Sequence, residues 1–472
     1  MTSGMNFWDV GVWSFVVTIT LLLVFMMLAN ALRNLIPALK RLMIPSAVLG
    51  GFLALFASFL FKKLTGHHMF PAMTLEALTY HGLGLGFAAM SLRTLEKQKD
   101  KTEKTGAFDT GVAVVGGYLL QGLVGLVISV VLYYLIGSFF ASGALLPLGY
   151  GQGPGQAYNW GRTFEYSYGF THGTSFGLTV AAAGFIAASI GGVVYLNVMR
   201  RKGRLASPGE NPAGEHVTHE MISGADEVPM LESMDKLTIQ FALVFMAYFL
   251  AYLFMRGMNV LIAADLLGDF GRNTVQPLIW GFNFLFATVF ALLLKTVLRA
   301  LRKKGVIKRE YSNNFMQTRI AGFSFDIMVV ASIAAINLKA FTYAAFVLPL
   351  ALICVAGAVV TYIYLLIVSK RVFPKYPDEA FLSLYGMQTG TASTGVILLR
   401  EADPKFLTQA SNNIVYHQPW AIIFGFPMLL LLGVAPRNVG WSLITIGVLV
   451  VLFAVMCLIL FRRSIFKKKT KS

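Results

Sequence analysis

Residues 385–400, YGMQTGTASTGVILLR, decide how this chain is read. The stretch is rich in Gly, Thr and Ser, yet it lies between two long apolar segments. Residues 150–157, YGQGPGQA, repeat its opening as Tyr-Gly-x-x-x-Gly-x-Ala: Tyr150 matches Tyr385, Gly151 matches Gly386, Gly155 matches Gly390 and Ala157 matches Ala392. The offset is 235 residues in a chain of 472, half its length. The chain therefore reads as two related halves, each bringing one glycine-rich loop to a shared centre.

Hydrophobic residues make up 56% of the chain and charged residues 13%, whereas a soluble domain carries roughly 25% charge. This composition predicts an all-α polytopic membrane protein. Residues 1–9 lack the basic start of a cleavable leader, and the apolar run after them is long enough to span. The net charge of +17 would suit a nucleic-acid partner, but Lys and Arg cluster in loops beside apolar segments, so no nucleic acid is expected. Cys354 and Cys457 both lie inside apolar runs, which argues against a disulfide, a haem or a zinc site.

A spanning helix needs about 20 mostly apolar residues. Five candidates precede a polar stretch at 200–236: 10–33, 43–61, 80–92, 109–139 and 174–199. The third, with HGLGLGFAAM, is short and glycine-rich, so it is tilted, broken or closely packed. The stretch 200–236 holds Pro208, Pro212, Pro229 and seven acidic residues and reads as an exposed linker. Six candidates follow: 237–255, 277–301, 319–336, 341–368, 413–434 and 439–461. With the N-terminus outside, the inner loops collect most Lys and Arg, among them Arg93, Lys97, Lys99, Arg200, Arg201, Arg302 and the tail Lys467, Lys468 and Lys469. That bias sets a plasma-membrane protein with its C-terminus in the cytoplasm. Five spans is an odd number, so the halves 1–199 and 237–434 enter the membrane inverted, and 435–472 supplies one extra span and a basic tail.

The two loops, about 138–162 and 377–402, are too polar to cross lipid singly and too apolar for surface loops. They read as re-entrant hairpins, because non-helical backbone at membrane depth is tolerated only where protein or an aqueous cavity surrounds it. A returning half-helix points free N–H groups and the positive end of its dipole at the centre, which favours an anion such as a carboxylate. Gln152, Gly153, Gly155 and Gln156 of the first loop and Thr389, Gly390, Thr391, Ser393 and Thr394 of the second form the expected solute-binding set. Tip carbonyls and hydroxyls are hard oxygen ligands for an alkali cation, and the expected cation set is Gly151, Gln388, Asp326 and Asn413. The competing reading of the Gly-x-x-x-Gly spacing is close helix packing.

At these loops the chain resembles the glutamate:sodium symporter family, the bacterial sodium-coupled glutamate carriers. The likeness runs along nearly the whole chain: IPSAVLGGFLALFASFLFKK at 44–63, FAAMSLR at 87–93, the loop at 151–157 followed by YGF at 168–170, the span 181–200 with Gly191 and Gly192, and the Thr-Ala pair of 389–392. The family's first loop typically reads Gly-His-Gly-Thr-Gly; here Gln152 and Pro154 replace the His and Thr. The second loop is usually richer in Gly and Pro, residues 158–161 resemble a small insertion, and the last span is additional. The resemblance implies two inverted five-span domains, a homodimer, sodium as the coupling ion, glutamate or a similar small carboxylate as solute, and an elevator-type movement.

Several single residues have two readings. Arg400 pairs with a substrate carboxylate or snorkels at the membrane edge beside Glu401, and Arg162 with Glu165 is read alike. Asp326, inside an apolar span, marks an ion or proton path or is a structural partner of Arg319 or Ser324. His172 and His417 sense protons or cap helices, and Trp160 and Trp420 read as interfacial anchors. No nucleophile–base pair, His/Glu metal motif or nucleotide loop appears, so no enzyme and no cofactor are expected. Two alternatives stay open: a proton-coupled carrier of another amino acid or dicarboxylate, and a polytopic membrane enzyme or sensor on the same scaffold.

Overall fold

The computed structural model describes residues 6–94, 101–204, 234–265, 268, 271–403 and 408–466, with side chains at all of these except 101–104, 273–274 and 463–466. Among the described residues every regular element is a helix and there is no strand. In chain order the main helices are α1 Val10–Leu35, α2 Ser46–Thr65, α3 Ala72–Leu92, α4 Lys101–Ile136, α5 Pro154–Tyr168, α6 Gly173–Arg201, α7 Lys236–Ala263 and α8 Asn283–Lys303. They continue with α9 Asn314–Ala334, α10 Ala344–Val372, α11 Pro377–Thr389, α12 Ala392–Ala402, α13 Gln409–Tyr416, α14 Gln418–Val434 and α15 Val439–Phe466.

Nine described helices are long and apolar enough to cross a membrane: α1, α2, α4, α6, α7, α8, α10, α14 and α15. The protein is an all-α membrane protein on this ground. Two more of the expected spans, α3 and α9, are helices of 21 residues each. They fall outside the nine because Glu76 and His81 interrupt one, and Gln317, Arg319 and Asp326 the other.

Two expected spans are broken. Residues 413–434 form α13 and α14, separated at His417 just before Pro419, which has no N–H to give an unbroken helix. Residues 277–301 form a short helix, Gln276–Gly281, and then α8, with Phe282 between them at φ −102° and ψ 28°. Of the expected linker, residues 205–233 lie outside the described residues, as do Lys97, Lys99 and the tail 467–472. Asp235 starts α7 by accepting from the N–H groups of Leu237 and Thr238 at 2.9 and 3.1 Å.

The chain divides into two units. The first is Met1–Leu22, Phe70–Glu96 and Ala213–Ser332. Its core joins Ala88, Ala89 and Leu92 of α3, Leu243, Val244 and Ala247 of α7, Ala287 and Ala291 of α8, and Ile320 and Ala321 of α9. The glycine run of α3 is there for packing. A β-carbon at Gly82 would lie 2.9 Å from Met328 Cβ, and one at Gly84 or Gly86 would overlap the ring of Tyr248 or Phe325. The helix is continuous, so it is closely packed and not broken.

The second unit is Leu23–Met69, Lys97–Pro212 and Ile333–Ser472. Its long helix α4 packs against α10, α14 and α15, while α6 packs against α5, α10 and α11. α4 stops at Gly137, whose φ of +68° suits only glycine without strain. Small residues again set the approaches: Gly125 meets Gly143, Gly161 meets Gly173, and Gly177 meets the backbone of Ala157. Both glycine-rich loops belong to this unit.

Candidate functional site

The two loops break the helical chain differently. In the second, α11 runs to Thr389, the chain turns at Gly390 and Thr391, and α12 returns. In the first, an irregular stretch with a 3₁₀ turn at Ser142–Ala144 and a π turn at Pro147–Gly151 precedes the break at Gln152 and Gly153, and α5 returns. Pro154 fixes the latter break, because proline is suited to the first helical position and cannot supply the N–H of an interior one. The shared Tyr-Gly-x-x-x-Gly-x-Ala spacing is thus not structurally equivalent in the two loops. The first breaks two residues after Tyr150 and the second five after Tyr385. The first return helix also runs to Tyr168, past the expected limit of 162, and ends on Gly169 at φ +70°.

The two breaks meet. Gly153 has φ +83° and ψ −178°, a conformation open essentially to glycine. A β-carbon there would lie 3.5 Å from Thr391 Cγ2 and 3.9 Å from the Gly390 carbonyl oxygen. Neither α5 nor α12 has a side chain capping its N-terminus. The first-turn N–H groups of two helices, which have no intrahelical acceptors, therefore start beside one another.

Around this point the expected residues separate by role. Thr391, Ser393 and Thr394 form a hydroxyl group at the start of α12, with Thr391 Oγ1 2.8 Å from Ser393 Oγ and 3.3 Å from Thr394 Oγ1. Gln152 is half-buried at the first break, and Gly155 and Gln156 are buried in the first turn of α5. Gln156 is 1% exposed, and neither its Nε2 nor its Oε1 has a protein hydrogen-bond partner. Thr389 does not offer its hydroxyl to the centre, because Oγ1 donates back to the Tyr385 carbonyl at 2.6 Å. Gly386 serves the close-packing reading, with a β-carbon there 2.7 Å from Gly395 Cα.

Four other expected residues have different settings. Arg400 is exposed in the last turn of α12, ~13 Å along the helix axis from Thr391 at 1.5 Å per residue. Asn413 donates to the Tyr376 hydroxyl at 2.9 Å, at the base of α11, about 20 Å from its tip by helix rise. Burial raises the Tyr376 phenol above its ordinary pKa, so it stays protonated there. The Gly151 carbonyl already accepts from Tyr118 at 2.8 Å. Asp326 belongs to the first unit and lies on an exposed side of α9. Trp160 is 1% exposed and so is a core residue rather than an interfacial anchor, whereas Trp420 is 38% exposed and stacks edge-on with Phe108.

The structure adds residues that sequence reasoning missed, chiefly on α4. Tyr118 holds the Gly151 carbonyl before the first break. One turn on, Gln121 Nε2 donates to the Gln388 carbonyl and to Thr361 Oγ1, both at 2.9 Å. Gln121 thereby satisfies a carbonyl at the end of α11 that has no intrahelical donor. Tyr150 donates to the Cys354 carbonyl on α10 at 2.7 Å, and Tyr385 to the Ala187 carbonyl on α6 at 3.1 Å. The available signal was Gln121 itself, a lone carboxamide inside the apolar run GGYLLQGLVG.

No protein-family model matches the chain, and no curated protein is significantly similar to it.

Proposed function

We propose that the protein is a secondary carrier that couples movement of a small carboxylate, glutamate or a similar solute, to a sodium gradient by alternating access. The approach of Gly153 to Thr391 carries the reading, because it sets two uncapped helix starts side by side. Free N–H groups at such starts stabilise a carboxylate that has lost its water. The hydroxyls of Thr391, Ser393 and Thr394 and the carboxamide of Gln156 supply neutral polar contacts around it.

In this reading α11 and α12 form a re-entrant hairpin, and the stretch ending in α5 is its inverted counterpart from the other half. The excess of Lys and Arg in alternate loops supports, in the same reading, an N-terminus outside and a C-terminus in the cytoplasm at the plasma membrane. The likeness to the sodium-coupled glutamate carriers adds a homodimer and an elevator-type movement. A bound cation lowers the cost of burying the carboxylate, and coupling follows when the half-loaded protein moves poorly.

Reconstituted protein should accumulate labelled glutamate or a related acid when sodium is higher outside, and Gly153→Leu should abolish this while leaving a folded protein. Equal uptake with and without the gradient would remove the coupling. Full uptake by a folded Gly153→Leu variant would remove the loops as the site.

A further inference from the structure

Two buried carboxamide oxygens are unaccounted for beside the second loop. Gln121 and Gln388 are both 0% exposed, and the Oε1 of each accepts no protein hydrogen bond. Their orientation is fixed by the other end of each amide. Gln121 Nε2 donates to the Gln388 carbonyl and to Thr361 Oγ1, and Gln388 Nε2 donates to the Ala113 carbonyl at 3.3 Å. A flip of either amide would aim its carbonyl at another acceptor, so both oxygens stay unpaired.

The three α4 positions involved, Ala113, Gly117 and Gln121, are spaced four apart and share one helix face. The Gln388 side chain runs along that face, with Nε2 at Ala113 and Oε1 against Gly117. A β-carbon at Gly117 would overlap that oxygen and lie 2.6 Å from its carbon. Glycine at 117 therefore makes room for the carboxamide. A buried acceptor without a partner has lost its water and gained nothing in return, so two on adjacent turns call for a partner.

We infer that these oxygens, with Thr361 Oγ1, bind a monovalent alkali cation in the wall formed by α4, α10 and α11. The unpaired atoms are acceptors, which a cation satisfies directly. A buried water would also donate to them, and the choice of salt in the titration below separates the two. Neutral oxygens suit a singly charged ion, because divalent cations are held by carboxylates. Among the described residues no cluster of His, Cys, Asp and Glu could hold one. The inference rests on the cation-coupled reading above, keeps Gln388 of the expected cation set and puts the ion in the turn behind the tip. There Gln121 holds the backbone of the second loop, so cation binding steadies the end of α11 next to the solute site.

The test is thermal unfolding of the full chain in detergent, titrated with lithium, sodium or potassium chloride against N-methylglucamine chloride at equal ionic strength. An alkali cation should raise Tm saturably, and Gln388→Met and Gln121→Leu should each weaken that cation by about tenfold, or ~1.4 kcal/mol. Gln388→Glu keeps the shape and adds a charge, so it should bind the cation more tightly and lose that gain as pH falls. A wild-type Tm that is the same in every salt overturns the site, as does a Gln388→Glu affinity equal to wild type. Gradient-driven uptake without any cation-dependent Tm would defeat this site and spare the carrier reading. Cation binding of this pattern without carboxylate uptake would do the reverse.

Discussion

Arg462 in α15 donates to Asp109 in α4 at 2.7 Å, and its guanidinium also lies 5.3 Å from the Phe108 ring. The Asp109 side chain is 5% exposed and the Arg462 side chain 30%. The last helix, additional to the resemblance, is thus pinned to the helix that contacts both loops. Removing one partner leaves the other charge poorly solvated. Asp109→Ala should therefore destabilise the detergent-solubilised protein by roughly 2 kcal/mol, below the 3–5 kcal/mol of a fully enclosed pair. Arg462→Met should cost more than Asp109→Ala, since it leaves the more deeply buried carboxylate without its guanidinium. Comparing the denaturant midpoints of both variants with wild type checks this.

A second prediction concerns Gly116, where an added β-carbon would overlap the Tyr364 hydroxyl but lie 3.3 Å from the ring carbon that bears it. Gly116→Ala should lower Tm. Tyr364→Phe removes the overlapping atom and also the hydrogen bond to the Ala113 carbonyl, worth about 1 kcal/mol. The double variant should be more stable than Gly116→Ala alone, a non-additive cycle. Simple addition of the two losses would show that the overlap is relieved elsewhere.

Gln156 separates stability from transport. Its carboxamide is buried with neither end paired, so replacing it by Leu should be neutral or stabilise by up to about 1–2 kcal/mol. Solute uptake by Gln156→Leu should fall by at least about tenfold, the worth of ~1.4 kcal/mol of lost contact. Unchanged uptake in a stabilised variant would take Gln156 out of the site.

Arg400 gives the opposite expectation. It is exposed in the last turn of α12, far from Thr391. Arg400→Gln should leave uptake within about twofold of wild type, the usual range for a surface change. A large rise in the solute KM would mean that the side chain reaches the solute in another conformation of the carrier.

Much of the helical layout was legible because its causes are local. Apolar length marks α1, α4 and α15. Gly137, Gly169 and Pro154 are local signals as well, but the expected hairpin bounds of 138–162 missed the run of α5 from Pro154 to Tyr168. The repeated spacing around Tyr150 and Tyr385 pointed to two chain breaks that approach one another, but not in the shared register, since a shared pattern carries no information about where a helix breaks. The cation candidates Asn413 and Gly151 were chosen for their atom types. Tyr376 and Tyr118, the partners that engage them, come from other helices.

By itself the sequence determined that the chain is a helical membrane protein with two glycine-rich interruptions half a chain apart. Hydropathy, proline and glycine act over a few residues and need no fold to be read. Only the tertiary structure decided that Gly153 lies against Thr391, that Thr389 spends its hydroxyl on its own helix, and that Gln121 meets Gln388. Hydrogen bonds across 267 positions exist because helices pack and leave particular backbone carbonyls to be satisfied. Which carbonyl is left, and which side chain stands near it, is a property of the packed unit and not of any stretch of its chain.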